Sequence, residues 1–246
     1  MAKLGTSSPT LVASRRDRQR LSVSTPLLSA LMCMLRLALF AVVALAGISE
    51  AAAQVPDCDS AKLTEYLKLG ADGCAVGKYR LSNFAYTPGP DGLAANSISI
   101  TAGISPGSDD PGILIEGNWS RPLRQPSTIS YNVEPLPAGR LLDGATLEME
   151  FGQVTDTGEA SVATEVCPAI GTSDHCAVAN VKLHVTLSAT AQRKASDNGR
   201  LAGPASHLRV TNAVNLAAGK NGSASFTGFM LVLHAIGNQS PTTNGH

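Results

Sequence analysis

From Lys78 to His234 the chain repeats a two-residue hydrophobic period. Phe84 and Tyr86 alternate with Asn83 and Ala85, Ile98 and Ile100 with Ser97, Ser99 and Thr101, and Ile113 and Ile115 follow a Pro-Gly turn. Ile129, Tyr131 and Val133 alternate with Ser130 and Asn132, and Leu147, Met149 and Phe151 with Glu148 and Glu150. Val162 and Val166 sit in a Ser/Thr-rich run that ends at Cys167. Val181, Leu183, Val185 and Leu187 give the cleanest alternation; Leu208, Val210, Val214 and Leu216 continue it, and Phe226 to His234 is the most apolar stretch. Successive strand side chains point to opposite faces, so each segment has one dry and one wet face. Gly, Pro, Asn and Asp separate most segments, with hairpin-type turns at Asp143-Gly144 and Asn221-Gly222. The pattern predicts an all-β, antiparallel β-sandwich of about nine strands, with a barrel as the lesser alternative.

One stretch has a helical period instead. Leu63, Tyr66 and Leu67 share a face, Asp59 or Ser60 can cap the start and Gly70 the end, so a short N-terminal helix of about three turns is expected. The longest polar connection, Arg193 to Pro204, reads as a mobile loop, and 237–246 as a flexible tail. There is no internal repeat or linker, so 54–236 is expected to form a single domain.

The first 53 residues follow a different logic. Six of the 19 basic residues (Lys3, Arg15, Arg16, Arg18, Arg20 and Arg36) precede Gln54, against two of the 19 acidic ones, Asp17 and Glu50. The basic stretch Ser14 to Arg20 leads into an apolar run from Leu27 to Gly47, and Ala51-Ala52-Ala53 forms an A-x-A-like cleavage site. This reads as a signal peptide with an extended n-region and a mature start at Gln54. Leu35 to Gly47 is too short for a membrane span, which needs about 20 apolar residues, and Arg36 interrupts any longer version. Met34-Leu35-Arg36 with Leu37 to Gly47 would make a compact signal by itself, so Met1, Met32 and Met34 all stand as candidate starts. Arg15-Arg16 lacks the apolar residues that should closely follow a twin-arginine motif, and Met32 before Cys33 is too large for lipoprotein processing. The expected destination is secreted or extracellular, with the periplasm as the alternative, and no membrane span in the mature form.

The mature part has 193 residues, with 13 basic against 17 acidic side chains and no basic block. Phosphate neutralisation needs clustered Lys and Arg, so nucleic acid is excluded as a partner. A chain of this length buries about 70% of its extended-chain surface on folding, enough for a real core. Four cysteines remain after cleavage: Cys58, Cys74, Cys167 and Cys176. An even number in an exported chain reads as two disulfides. Of the three connectivities, local pairing, Cys58–Cys74 and Cys167–Cys176, is favoured, because each pair flanks its own short segment. The spacings match no zinc pattern, and His175 beside Cys176 is a lone candidate ligand.

Candidate chemistry is sparse. No G-x-S-x-G, H-E-x-x-H, P-loop or EF-hand loop occurs, and no cofactor is implied. His184 falls on the wet phase of a strand, His234 ends an apolar strand, and His207 and His246 have no carboxylate and serine placed beside them. A Ser-His-Asp site assembled from distant positions would leave no such mark. Asp109-Asp110 and Asp156-Thr157-Gly158-Glu159 offer oxygens to calcium, but solvated turns are the plainer reading. Asn118-Trp119-Ser120 fits a glycosylation sequon. Trp119 is either a core residue, the favoured reading, or an exposed binding aromatic.

The stretch Leu67-Lys68-Leu69-Gly70 through Gly73-Cys74-Ala75-Val76-Gly77, followed by Leu81-Ser82-Asn83-Phe84-Ala85-Tyr86, resembles a domain of bacterial secreted proteins that carry the PEP-CTERM sorting tail. Gly112-Ile113-Leu114-Ile115 leading to Trp119-Ser120, Ile129-Ser130-Tyr131 and the run Ala160 to Cys167 are similar too. The resemblance implies an extracellular domain and transfers no catalytic residue. The chain departs from that pattern at its end, Pro241-Thr242-Thr243-Asn244-Gly245-His246, where a sorting tail would stand. This favours a released protein. The leading functional expectation is therefore a non-catalytic, exported β-sandwich that acts in the extracellular matrix or as a binding module, its partner left open, with an extracellular polysaccharide or matrix component as candidates. The alternative is a secreted hydrolase with an unrecognised active site.

Overall fold

The structure, a computed structural model, describes residues 55–120, 122–123, 125–169, 181–189 and 194–236. The proposed cleavage site, Cys176, His175, His246 and the tail 237–246 lie outside the described residues. The nine expected strands are present as β3 (Tyr79–Thr87), β4 (Ser99–Ile104), β5 (Pro111–Trp119), β6 (Ser127–Pro135), β7 (Leu142–Met149), β9 (Glu159–Pro168), β10 (Val181–Ser188), β12 (Leu208–Ala217) and β13 (Ser223–Ala235). Four more join them: β1 (Ala61–Lys62), β2 (Cys74–Val76), β8 (Gly152–Thr155) and β11 (Ser196–Ala205). They form two antiparallel sheets, one in the order β1-β4-β5-β13-β7-β11 with β8 on β13, the other in the order β10-β9-β12-β6-β3-β2. The dry faces meet in one core that includes Ile100, Ile115, Leu147 and Leu231 from the first sheet and Tyr131, Val162, Val185 and Val210 from the second.

β11 corrects the expected Arg193–Pro204 loop. Its sequence, Ser196-Asp197-Asn198-Gly199-Arg200, has no apolar phase, yet Ser196 to Arg200 pair in continuous register with Glu148 to Gly144 of β7. Backbone bonding needs no apolar side chains, and the inner face here is filled from β10: a Cβ on Gly199 would lie 2.8 Å from Val181 Cγ1 and 3.3 Å from Leu183 Cδ2.

The expected three-turn helix is also shorter. The chain stays extended through β1, which pairs with β4, so Lys62 rather than Asp59 or Ser60 precedes the helix α1 (Leu63–Tyr66), with no side-chain cap. The predicted face holds: Leu63 and Tyr66 are buried, Leu67 packs beside them, and Gly70 ends the turn at φ 56°. The Tyr66 hydroxyl donates to the Asp59 carbonyl at 2.7 Å, and burial, helped by the Asp59 charge, raises its pKa to about 12.

Both open sides of the sandwich are managed, as unpaired strand edges invite aggregation. On one side, residues 56–58 add to β2: Cys58 N–H donates to the Ala75 carbonyl at 2.8 Å, and Ala75 N–H to the Pro56 carbonyl at 2.7 Å. On the other, β10 of one sheet runs beside β11 of the other. Asp197 ties them, accepting from His184 N–H at 2.8 Å and from Lys194 Nζ at 2.7 Å. Partial burial pushes the Asp197 carboxyl upward, but the bonds from Lys194, His184 N–H and Asn198 N–H outweigh it and hold its pKa below the ordinary aspartate value. A carboxyl lowered on folding stabilises above its unfolded pKa, and that contribution disappears as pH falls through the folded value. Asp197→Asn should therefore speed amide exchange at Thr186 and Lys194 at neutral pH, by under about 1 kcal/mol for so exposed a pair. Mutant and wild type should converge once the pH has fallen through the folded value and the carboxyl is protonated. A difference that survives in acid would show that the charge is not responsible.

Among the described residues no helix is long and apolar enough to cross a membrane.

Candidate functional site

The wet face of the six-stranded sheet is braced. Arg209 on β12 reaches across β6 to β3: Nη2 donates to Ser130 Oγ at 2.7 Å, and Nη1 to Asn132 Oδ1 at 3.0 Å and to the Asn83 carbonyl at 3.4 Å. Asn83 lies between Ser82 and Ala85, where β3 slips register, with φ 52°, a left-handed conformation that asparagine tolerates. In the neighbouring row Glu134 pairs with Arg80 on one side and with His207 Nε2, at 2.7 Å, on the other. These groups are engaged with one another, so this face forms a cross-tied wall. His184, further along, is exposed on the wet phase, as expected.

The seven-stranded sheet offers a different surface at the β7–β8 corner. Leu147 and Met149 point inward as the alternation predicts, but Phe151 does not: it is 84% exposed, the one aromatic among the exposed large hydrophobics of the described residues. The cause is a slip in phase. Gly152 takes the inward position, where a Cβ would lie 2.2 Å from Leu187 Cδ1, so one residue too many separates it from Met149 and Phe151 is turned out. The opposite strand slips too, between Phe226 and Gly228, and Thr227 N–H donates to the Phe151 carbonyl at 3.0 Å.

Phe151 thus heads a two-stranded strip. Ser225 pairs with Gln153, and Ser223 with Thr155, the two hydroxyls of the latter pair lying 3.0 Å apart. Gln153, Thr155, Ser223 and Thr227 are exposed and Ser225 half-buried. The strip combines one bare aromatic ring with uncharged hydroxyl and amide groups that can both donate and accept. Periodicity alone could not locate it; the only sequence trace of the slip is glycine at both 152 and 228.

At the far end of β13, three residues from separate segments form a hydrogen-bonded chain. Asp110, buried immediately before β5, accepts from Ala235 N–H through Oδ1 at 2.8 Å and faces His234 Nδ1 through Oδ2 at 3.2 Å. His234 Nε2 lies 2.8 Å from Thr146 Oγ1 on β7. Gly144, paired with His234, leaves room for the ring: a Cβ there would lie 3.4 Å from His234 Cδ2 and 2.9 Å from the Gly199 carbonyl.

Trp119 is 2% exposed and stacks on Phe226, so it is a core residue and not a binding platform. Asp109 pairs with Lys78 at 3.2 Å, Asp110 is engaged as above, and Asp156 sits on a different turn with φ 48°. No group of three metal-capable side chains occurs among the described residues. Cys58–Cys74 is a disulfide, with Cα atoms 4.9 Å apart. Cys167 is disulfide-bonded as well; the other half of its expected pair, Cys176, lies outside the described residues.

No protein-family model matches the chain, and no curated protein matches it. Among solved structures it is similar to the carbohydrate-binding module TmCBM61, determined in complex with β-1,4-galactotriose. The identity is 16%, the match covers 67% of this chain and 92% of that one, and the TM-score is 0.23. That likeness assigns no residue role to this chain.

Proposed function

We propose that the protein is an exported module that binds neutral polysaccharide through the strip headed by Phe151. The observation that carries this reading is the exposure of that ring. Leaving a phenylalanine in water forgoes roughly 1.5–3 kcal/mol of burial, and exposed apolar groups rimmed by polar ones mark interaction sites. A sugar ring presents an apolar C–H face to an aromatic ring and hydroxyls around its edge, matching Phe151 and its flanking Gln, Ser and Thr side chains. The strip bears no charge, in keeping with an uncharged ligand. The N-terminal leader makes the module extracellular, and a secreted mass beginning at Gln54 is the check on that part of the reading.

The test is affinity electrophoresis through gels cast with soluble glucans, galactans or mannans. Wild type should be retarded by at least one of them. Phe151→Ala should weaken retention about tenfold or more, corresponding to the loss of roughly 1.4 kcal/mol, and Phe151→Trp should keep it. Because the side chain is so exposed, the alanine variant should melt within about 0.5 kcal/mol of wild type. Equal retention of wild type and Phe151→Ala would remove the strip from the binding site.

A further inference from the structure

The chain of Asp110, His234 and Thr146 has the connectivity of an acyl-transfer site. The carboxylate faces Nδ1, and the hydroxyl lies on Nε2. A carboxylate only accepts, so Nδ1 carries the proton, Nε2 keeps its lone pair, and the Thr146 hydroxyl donates to it. Asp110 is fixed by its second bond, to Ala235 N–H, which holds the imidazole from behind. The front is open: the His234 side chain is 38% exposed, and Thr146 lies on the wet face of β7. Its cross-strand neighbours are Val232 on β13 and Asn198, exposed, on β11.

We propose that this group hydrolyses carboxylic esters with a short acyl chain. Thr146 Oγ attacks the ester carbonyl carbon while its proton passes to His234 Nε2. Asp110 stabilises the imidazolium that results. The carbonyl becomes a tetrahedral oxyanion beside Asn198, whose amide can donate to it. On collapse the bond to the alcohol oxygen breaks, and that oxygen takes the proton from Nε2–H, leaving acyl-Thr146 and free alcohol. Water then attacks the acyl carbon and gives a proton to Nε2. Breaking the Thr146 ester returns that proton to Oγ and releases the carboxylic acid. Ester and water thus become acid and alcohol, with no other reactant. Val232 offers the acyl chain an apolar neighbour, and the glycine pair Gly103 and Gly112 beyond it leaves the strand surface low. The site shares the wet face of β13 with the Phe151 strip but does not depend on it.

The full chain is assayed with p-nitrophenyl acetate, and separately treated with a fluorophosphonate for mapping by mass spectrometry. Wild type should hydrolyse the ester at least about 100-fold faster than Thr146→Val, which keeps the side-chain shape without the nucleophile. His234→Gln should fall with it, and Thr146→Ser should retain activity or gain it, because the hindering methyl is removed. The phosphonate should mark the peptide containing Thr146. Equal rates in wild type and Thr146→Val overturn the proposal, as does an adduct confined to another residue. Should the variants fail to fold, the adduct on wild type alone decides. Loss of glycan retention in Phe151→Ala with ester hydrolysis intact separates this site from the binding reading.

Discussion

Replacing Trp119 by alanine should lower stability by about 3–5 kcal/mol, the range for deleting a buried large aromatic. The indole is 2% exposed, stacks on Phe226 with centroids 4.8 Å apart and tilts against Phe229 at 6.3 Å. It folds back along its own strand: a Cβ on Gly117 would lie 3.1 Å from indole carbons Cη2 and Cζ3. The glycine two residues earlier makes room for the ring. Removing the ring leaves a hole that β5 and β13 hold open, because both are locked into the sheet on either side of it. In urea the midpoint should fall without a change in slope. The melting temperature should drop by roughly 10 °C for a domain of this size.

Trp119→Phe separates packing from polarity. The indole N–H is buried and has no acceptor among the described residues. Burying such a donor unpaired costs about 1–3 kcal/mol, and phenylalanine removes it while keeping a ring against Phe226. The net change should be about 1 kcal/mol or less in either direction. If Trp119→Phe is as damaging as Trp119→Ala, the N–H has a partner and the void is not the main term.

What could be read from the sequence follows from what makes a strand visible. Val181, Leu183, Val185 and Leu187 alternate because β10 has one face in the core, and strands of that kind are visible in the sequence. The first half of β11 escapes such a reading, because the inner face of Ser196 to Arg200 is filled by side chains of β10 and these residues carry no apolar phase. β2 is too short for a period, and β8 holds only Val154 as an apolar inward residue. Alternation places Phe151 inward because it assumes constant phase, and the slip before Gly152 involves Leu187, which is distant in sequence. The chain of Asp110, Thr146 and His234 was out of reach for a related reason. It depends on the pairing of β13 with β7 and on a turn that brings Asp110 to Ala235, and no local spacing encodes either. Trp119 and Cys58–Cys74 were legible, since burial of a lone tryptophan and local pairing of cysteines follow from residue chemistry and short range.

Removing the Cys58–Cys74 disulfide, as Cys58→Ala with Cys74→Ala, should cost roughly 3 kcal/mol, the chain-entropy value for a loop of about this length. The bond joins residues 16 apart and encloses β1 and α1. Within that loop only two residues anchor deeply, Leu63 against the core and Tyr66 edge-on to Phe84 at 4.9 Å. α1 is a single turn and has no stability of its own. Without the covalent tie, residues 55–59 hold to β2 through the Cys58–Ala75 and Ala75–Pro56 backbone bonds at a sheet edge, where fraying is least opposed. The loss should therefore be local before it is global. In reductant, amide exchange at Cys58 and Ala75 should rise first, while Val210 and Tyr131, paired in the middle of the six-stranded sheet, stay protected until the whole domain unfolds. Peptide mapping without reductant should recover Cys58 joined to Cys74 and no free Cys167. If reductant leaves exchange at Ala75 unchanged, the N-terminal segment is held by Leu63 and Tyr66 alone, and the disulfide contributes only to the unfolded chain. If exchange rises uniformly across both sheets, the segment is an inseparable part of the cooperative core.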